Sequence, residues 1–251
     1  MTTAEILDDE MIAVLPLGAT EHHGPHLAPD VDWIIADGVC ARTKALLPKD
    51  FRVEFLAVEK IGYSIEHADF AVTRTLAFDE AIQRWIAIGE ACARRGIRKF
   101  VMLNAHGGNA PLMTIVATEL RVRFSMLAIA TSWTRFGFPD GLIDAEEKAF
   151  GIHGGLIETS VMLALRPDTV DMAKAKDFPS AQAGYAGRFR HLRAYGPHAF
   201  GWKMTDLNGD NAAGDATQAT AELGERLLDH AARGFAELLN DARSFDPATL
   251  R

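Results

Sequence analysis

IAVLPLGATEHHGPHLAPDVD, residues 12–32, is the stretch around which the chain is organised. Its opening run, Ile12-Ala13-Val14-Leu15-Pro16-Leu17, is apolar without interruption and predicts a buried strand, which Gly18 ends. Directly after it, Glu21, His22, His23, His26, Asp30 and Asp32 crowd into twelve residues. Neutral imidazole and carboxylate are the donors that a divalent ion such as zinc or manganese takes, and residues at i and i+2 leaving a strand can converge on one point. Taken alone, the stretch is either a metal site or a histidine-rich surface loop.

Working outward, residues 31–47 carry apolar side chains at roughly helical spacing, and Pro48 closes the segment. Asp32 then sits in a first helical turn, where the helix dipole favours its charge and where it faces the loop of Glu21 and His23. A second strand is predicted over residues 53–58, followed by a polar loop with Glu66 and His67. Residues 78–95 read as an amphipathic helix, and the strand KFVML (99–103) runs straight into Asn104-Ala-His-Gly-Gly-Asn109. A helix over 111–122 and a strand over 126–131 follow. Strands alternating with helices predict an α/β fold with a mostly parallel sheet covered on both faces. Ligands of such sheets bind at the carboxyl ends of the strands, so the two histidine segments share one rim.

Beyond an irregular stretch at 136–151, residues 152–165 read as a helix with His153 and Glu158 on neighbouring faces of its first turns. Residues 180–202 give no clear secondary structure, and a long helix is expected over about 218–239. Without an internal repeat or low-complexity linker, one domain spanning 1–251 is the simplest division.

Composition narrows the function. A chain of 251 residues can bury a large core, and 48% hydrophobic with 24% charged residues is ordinary for a globular protein. The net charge of -8 and the lack of a Lys/Arg cluster argue against nucleic acid as a partner. Cys40 and Cys92 lie in apolar helical patterns and read as small core residues in a reducing compartment. The start MTTAEILDDE has no signal-peptide pattern, and no uncharged apolar run nears 18 residues, so a cytoplasmic protein without membrane spans is expected.

Three motifs in order carry a resemblance: Glu21-His-His-Gly-Pro-His-Leu with Asp32, Asn104-Ala-His-Gly-Gly-Asn109, and His153-Gly-Gly-Leu-Ile-Glu-Thr-Ser160. Together with the weaker matches Tyr63-Ser-Ile-Glu-His67 and Gly214-Asp-Ala-Thr217, they resemble the creatininase (creatinine amidohydrolase) family along nearly the whole chain. The resemblance implies a single-domain, three-layer α/β/α hydrolase acting on a small molecule with two divalent metal ions, zinc and/or manganese, with iron also admitted. It further implies a homo-oligomer, hexameric in that family. Carried over position by position, Glu21, His23 and His106 bind metal, Asp32 bridges two ions, and His153 is the catalytic histidine that protonates the leaving nitrogen. In creatinine-hydrolysing members a glutamate two residues after the second motif's histidine ligates metal; here that position is Gly108, and Glu158 is assigned as the fifth ligand instead.

The reaction so implied is cleavage of an amide, lactam or formamide C–N bond by a hydroxide shared between the metals. Creatinine hydrolysis proper, a peptidase, an inosose-type cyclic-ketone hydrolase and a non-catalytic metal- or sugar-binding protein are the alternatives. His22 and His26 match no ligand position, His26 supporting the loop. Asn104 and Asn109 are expected to make a tight turn around His106. Substrate contact is open for Glu66 and His67, and Trp133, His198 and Trp202 lie where a lid could be built.

Overall fold

A computed structural model describes residues 8–250, so residues 1–7 and 251 of the expected domain, and with them most of the N-terminal segment, lie outside it. The apolar run of the opening stretch becomes β1 (Asp8–Leu17), followed by α1 (Val31–Leu46) and the short β2 (Val53–Phe55). Then come α2 (Phe78–Arg94), β3 (Ile97–Asn104), α3 (Ala110–Phe124) and β4 (Leu127–Ser132). The second half supplies α4 (Ala145–Phe150), α5 (Leu156–Leu165), β5 (Asp177–Phe178), α6 (Ala181–Arg188), α7 (Met204–Leu207), β6 (Gly214–Asp215) and α8 (Ala221–Ser244).

The main sheet has the order β2-β1-β3-β4, with every pairing parallel, while β5 and β6 form a separate antiparallel pair. Because side chains alternate along a strand, β1 and β3 feed both layers. Ile12, Val14, Val101 and Leu103 face α1, α5 and α8, where Leu227, Ala231, Phe235 and Leu239 recur at helical spacing. Ala13, Leu15, Leu17, Phe100 and Met102 face α2 and α3, against Trp85, Met113, Val116 and Leu120. A parallel sheet buried on both faces between helices is the three-layer, single-domain arrangement expected. Cys40 and Cys92 are free and buried, and burial pushes both thiols above their ordinary pKa. No helix among the described residues is long and apolar enough to cross a membrane.

Several boundaries differ from the sequence reading. The ladder of β2 stops at Phe55 rather than at 58, although the chain still runs beside β1 through Leu56 N–H to Val14 O (2.9 Å) and Glu59 N–H to Pro16 O (3.0 Å). The helix expected over 152–165 begins only at Leu156, so His153 precedes it and lies in no helical turn. Gly154 has φ +61°, outside the right-handed helical region, and His153 instead exchanges backbone hydrogen bonds with Ala213 (3.2 and 2.7 Å). The last helix runs on to Ser244 because its apolar spacing continues through Leu239 and Ala242, and Thr220 caps its start.

Gly18 is where the sheet meets the first helix. A Cβ there would lie 2.4 Å from the Trp33 backbone, so β1 and α1 touch backbone to backbone at the base of the histidine loop. Gly18→Ala is therefore expected to cost about 1–3 kcal/mol through forced separation of the two elements. At roughly 2–4 °C per kcal/mol for a chain of this size, calorimetry should resolve the drop in melting temperature, and an unchanged value would refute the close-packing account.

Candidate metal centre

Glu21 and His23 follow the carboxyl end of β1, Asp32 is the second residue of α1, His106 follows β3, and His153 and Glu158 flank the start of α5. Parallel strands bring the ends of β1 and β3 side by side, so residues 80 and more apart in sequence meet in one buried cluster. Glu21 Oε1 lies 3.1 Å from His106 Nδ1, 3.9 Å from His23 Nε2 and 3.7 Å from His153 Nδ1. Asp32 turns Oδ1 to His23 Nε2 (3.2 Å) and Oδ2 to His106 Nδ1 (3.4 Å). Glu158 Oε2 stands 3.8 Å from His23 Nε2 and accepts a hydrogen bond from Gly154 N–H at 2.6 Å.

Three of these imidazoles have one ring nitrogen committed to a main-chain carbonyl. His23 Nδ1 is 3.0 Å from Glu21 O, His106 Nε2 is 2.8 Å from Tyr63 O, and His153 Nε2 is 2.9 Å from His22 O. Donation of that N–H leaves the other nitrogen with its lone pair toward the carboxylates, the orientation of a metal-ligating histidine. Both Glu21 oxygens and Asp32 Oδ2 are buried without a hydrogen-bond partner among the described residues. Buried unpaired carboxylates are costly, and a cation at their centre would remove that cost.

The electrostatics make the same demand. Burial opposes ionisation of Glu21, yet His106, His67 and His153 outweigh it and hold the carboxyl well below its usual range. Burial likewise disfavours the charged form of His23, but Asp32, Glu158 and Glu21 raise it to about 10, and Glu21 and Asp32 hold His106 well above its ordinary value. Burial pushes Glu158 up to about 7. The cluster calls for positive charge, and its groups Glu21–Asp32–His106, His23–Asp32–Glu158 and Glu21–His23–His153 could each hold an ion.

The second motif works as a clamp. Asn104 pairs with both main-chain groups of His106, through Nδ2 to O at 2.5 Å and Oδ1 to N at 3.1 Å. Asn109 donates to Gly18 O (3.0 Å) and Asn104 Oδ1 (3.1 Å) and accepts from Tyr63 N–H (2.9 Å), tying the loops that follow β1, β2 and β3 to one another. His22 stacks on Phe70 and His26 bonds Thr159 Oγ1 (2.9 Å), so neither joins the cluster.

His67, open in the sequence, is buried with Nε2 3.3 Å from Glu21 Oε1. Asn211 donates to His67 Nδ1 (2.9 Å) and to His22 O (2.6 Å), which puts the His67 proton on Nε2 and makes it the histidine that offers N–H to the cluster. Asn211 was not singled out from the sequence; the turn residues Asn208-Gly-Asp-Asn211, which predict the left-handed backbone that Asn211 adopts (φ 58°), could have marked the turn. A cavity of about 340 Å³ opens over the cluster, with Trp202 and Tyr195 on its wall, while Trp133 lines a smaller one of about 150 Å³. His198 packs edge-on against His191 and lines neither.

The family description "Creatininase: Creatinine amidohydrolase" matches residues 1–239. This chain belongs to the creatininase family. It is 29% identical over 233 residues to the mycofactocin precursor peptide peptidase of Mycobacterium tuberculosis (strain ATCC 25618 / H37Rv), covering 90% of this chain and 84% of that one. It is 24% identical over 258 residues to the creatinine amidohydrolase of Pseudomonas putida, covering 95% and 92%. Among solved structures, one titled "Creatininase Mn" superposes with a TM-score of 0.74 at 24% identity over 94% of this chain and 92% of that one. The chain is thus a creatininase-family amidohydrolase with the layered parallel-sheet fold of creatininase structures.

Proposed function

We propose that this creatininase-family enzyme hydrolyses a C–N bond of a small amide, lactam or formamide at a dinuclear centre of zinc or manganese. The observation that carries the reading is the pair of donor groups Glu21–Asp32–His106 and His23–Asp32–Glu158, which overlap at Asp32 alone. In this reading Glu21, His106 and Asp32 would hold one ion, and His23, Glu158 and Asp32 the other. Two bound cations would lower the pKa of a shared water and polarise the carbonyl that it attacks.

The protein's own groups do the rest. His153, with Nε2–H on His22 O, keeps Nδ1 free toward Glu21, so it takes up a proton from the attacking water and returns it to the leaving nitrogen. His67 Nε2–H, oriented by Asn211, is placed to donate to oxygen that gains negative charge. The Asn104–Asn109 clamp holds His106 in place while this happens.

Creatinine is an unfavoured substrate here. Gly108 lacks the carboxylate of creatinine-hydrolysing members, and a Cβ at that position would fall 2.4 Å from Tyr63 O and 2.5 Å from Glu66 Oε1. The test is a panel of amides, lactams, formamides, short peptides, cyclic ketones and creatinine, offered to protein stripped by a chelator and reloaded with zinc or manganese. The expected result is turnover of a small amide, lactam or formamide well above creatinine, lost on chelation and restored by metal. Efficient creatinine hydrolysis would overturn the substrate reading, turnover indifferent to metal would overturn the metal reading, and a reloaded protein inert to the whole panel would favour a non-catalytic binding role.

A further inference from the structure

Position 108 and Glu66 share one small volume. A Cβ on Gly108 would come within 2.5 Å of Glu66 Oε1 and of His106 Nε2, so the carboxylate of Glu66 occupies the hollow that a side chain at 108 would need. It does so from the far edge of the His106 ring. Nδ1 of that ring faces Glu21 at 3.1 Å, whereas Nε2 faces Glu66 at 3.5 Å and is already hydrogen-bonded to Tyr63 O. Glu66 accordingly belongs to none of the donor groups that could hold an ion.

Its carboxylate has few partners. Apart from the His106 contact, no hydrogen bond from another residue reaches it among the described residues, although its side chain is only 14% exposed. Burial raises its pKa, against the opposing charge of His106. It lines the 340 Å³ cavity over the cluster together with His67, Ile152, Tyr195, Trp202 and Met204. No Lys or Arg is among the lining residues, and Lys203, next to Trp202 in sequence, is spent on Asp69 (2.9 Å) outside it. An amine would find an acidic oxygen in a cavity that two aromatic side chains also line, both of which attract cations.

We propose that Glu66 is a specificity-determining residue that receives a cationic nitrogen group, an ammonium or amidinium, at the end of the substrate remote from the scissile amide, with Tyr195 and Trp202 as the aromatic walls of that subsite. This rests on the amidohydrolase reading for the identity of the scissile bond, but the charge preference itself concerns binding and is measurable without turnover.

The experiment uses the zinc-loaded full chain and ω-aminoalkanamides with two to five methylenes, set against their neutral alkyl isosteres and their ω-carboxylate analogues. Binding is followed by tryptophan fluorescence, hydrolysis by ammonia release, and the same series is run on Glu66→Gln with its metal content measured. The expected result is at least tenfold tighter binding of one aminoalkanamide than of its neutral isostere, weaker binding still of the carboxylate, and loss of this ranking in Glu66→Gln at unchanged metal content. Equal binding of the three classes by the wild type, or a ranking that survives Glu66→Gln, would overturn the proposal. So would loss of a metal ion in that variant, which would make Glu66 a ligand. A cation preference in binding with no ammonia released from any amide would sustain the subsite and tell against the amidohydrolase chemistry, so the two readings fail separately.

Discussion

Asp32→Ala is expected to leave one metal ion or fewer per chain in place of two, and to lower turnover about a thousandfold. Asp32 is the residue common to both donor groups of the proposed centre, turning one oxygen to His23 at 3.2 Å and the other to His106 at 3.4 Å. Removing it withdraws a charged ligand from both positions at once and leaves Glu21, fully buried, with less to hold its counter-charge. The lost electrostatic stabilisation is several kcal/mol of the barrier, and each 1.36 kcal/mol is about tenfold in rate. Elemental analysis of the purified variant is the direct measurement, and two ions per chain in Asp32→Ala would dispose of the bridging role. Glu158→Gln sharpens the assignment, since Glu158 appears only in the group with His23 and its loss should empty that position alone.

His153→Ala is expected to lower kcat by about 10²–10⁴-fold, the usual worth of a positioned acid–base group, while metal content stays at its wild-type value. The ring stacks on His23 (centroids 4.1 Å apart) and lies tilted against His67 (4.3 Å), and its free Nδ1 faces Glu21 at 3.7 Å, close enough to the proposed centre to exchange protons with whatever is bound there. That proximity also creates the rival account, because Glu21, His23 and His153 form a donor group of their own. Metal content separates the two: activity lost with the ions retained identifies a proton carrier, and activity lost along with an ion identifies a ligand. Because the ring is buried among other rings, the alanine variant also leaves a hole, so the melting temperature of the metal-loaded protein should be compared before the rate is interpreted.

Much of this was legible from the sequence by itself. An apolar run closed by Gly18, helices marked by their spacing, and strands alternating with them are local signals, written in neighbouring residues, and they imply a parallel sheet and a shared rim without further information. The residues alone marked a loop rich in carboxylate and imidazole after β1, and it was the resemblance to the creatininase family that named Glu21, His23, Asp32, His106 and Glu158 as candidate donors.

What the tertiary structure alone decided are the relations between segments far apart in the chain. His153 was read into a helix because residues 152–165 are apolar and compact in pattern, yet its backbone pairs with Ala213, and no local preference could announce that partner. The tautomer of His67 depends on Asn211, 144 positions away. Glu66 takes the hollow left by Gly108 because the loops after β2 and β3 meet through the bonds of Tyr63 to His106 and Asn109, although β1 separates their strands. Local patterns specify elements because a helix is held by contacts a few residues apart and a strand's apolar run or alternation is written along its own segment. The protonation, pairing and free volume at a buried site are set by groups that only folding brings within 3 to 4 Å, so they belong to the packed structure.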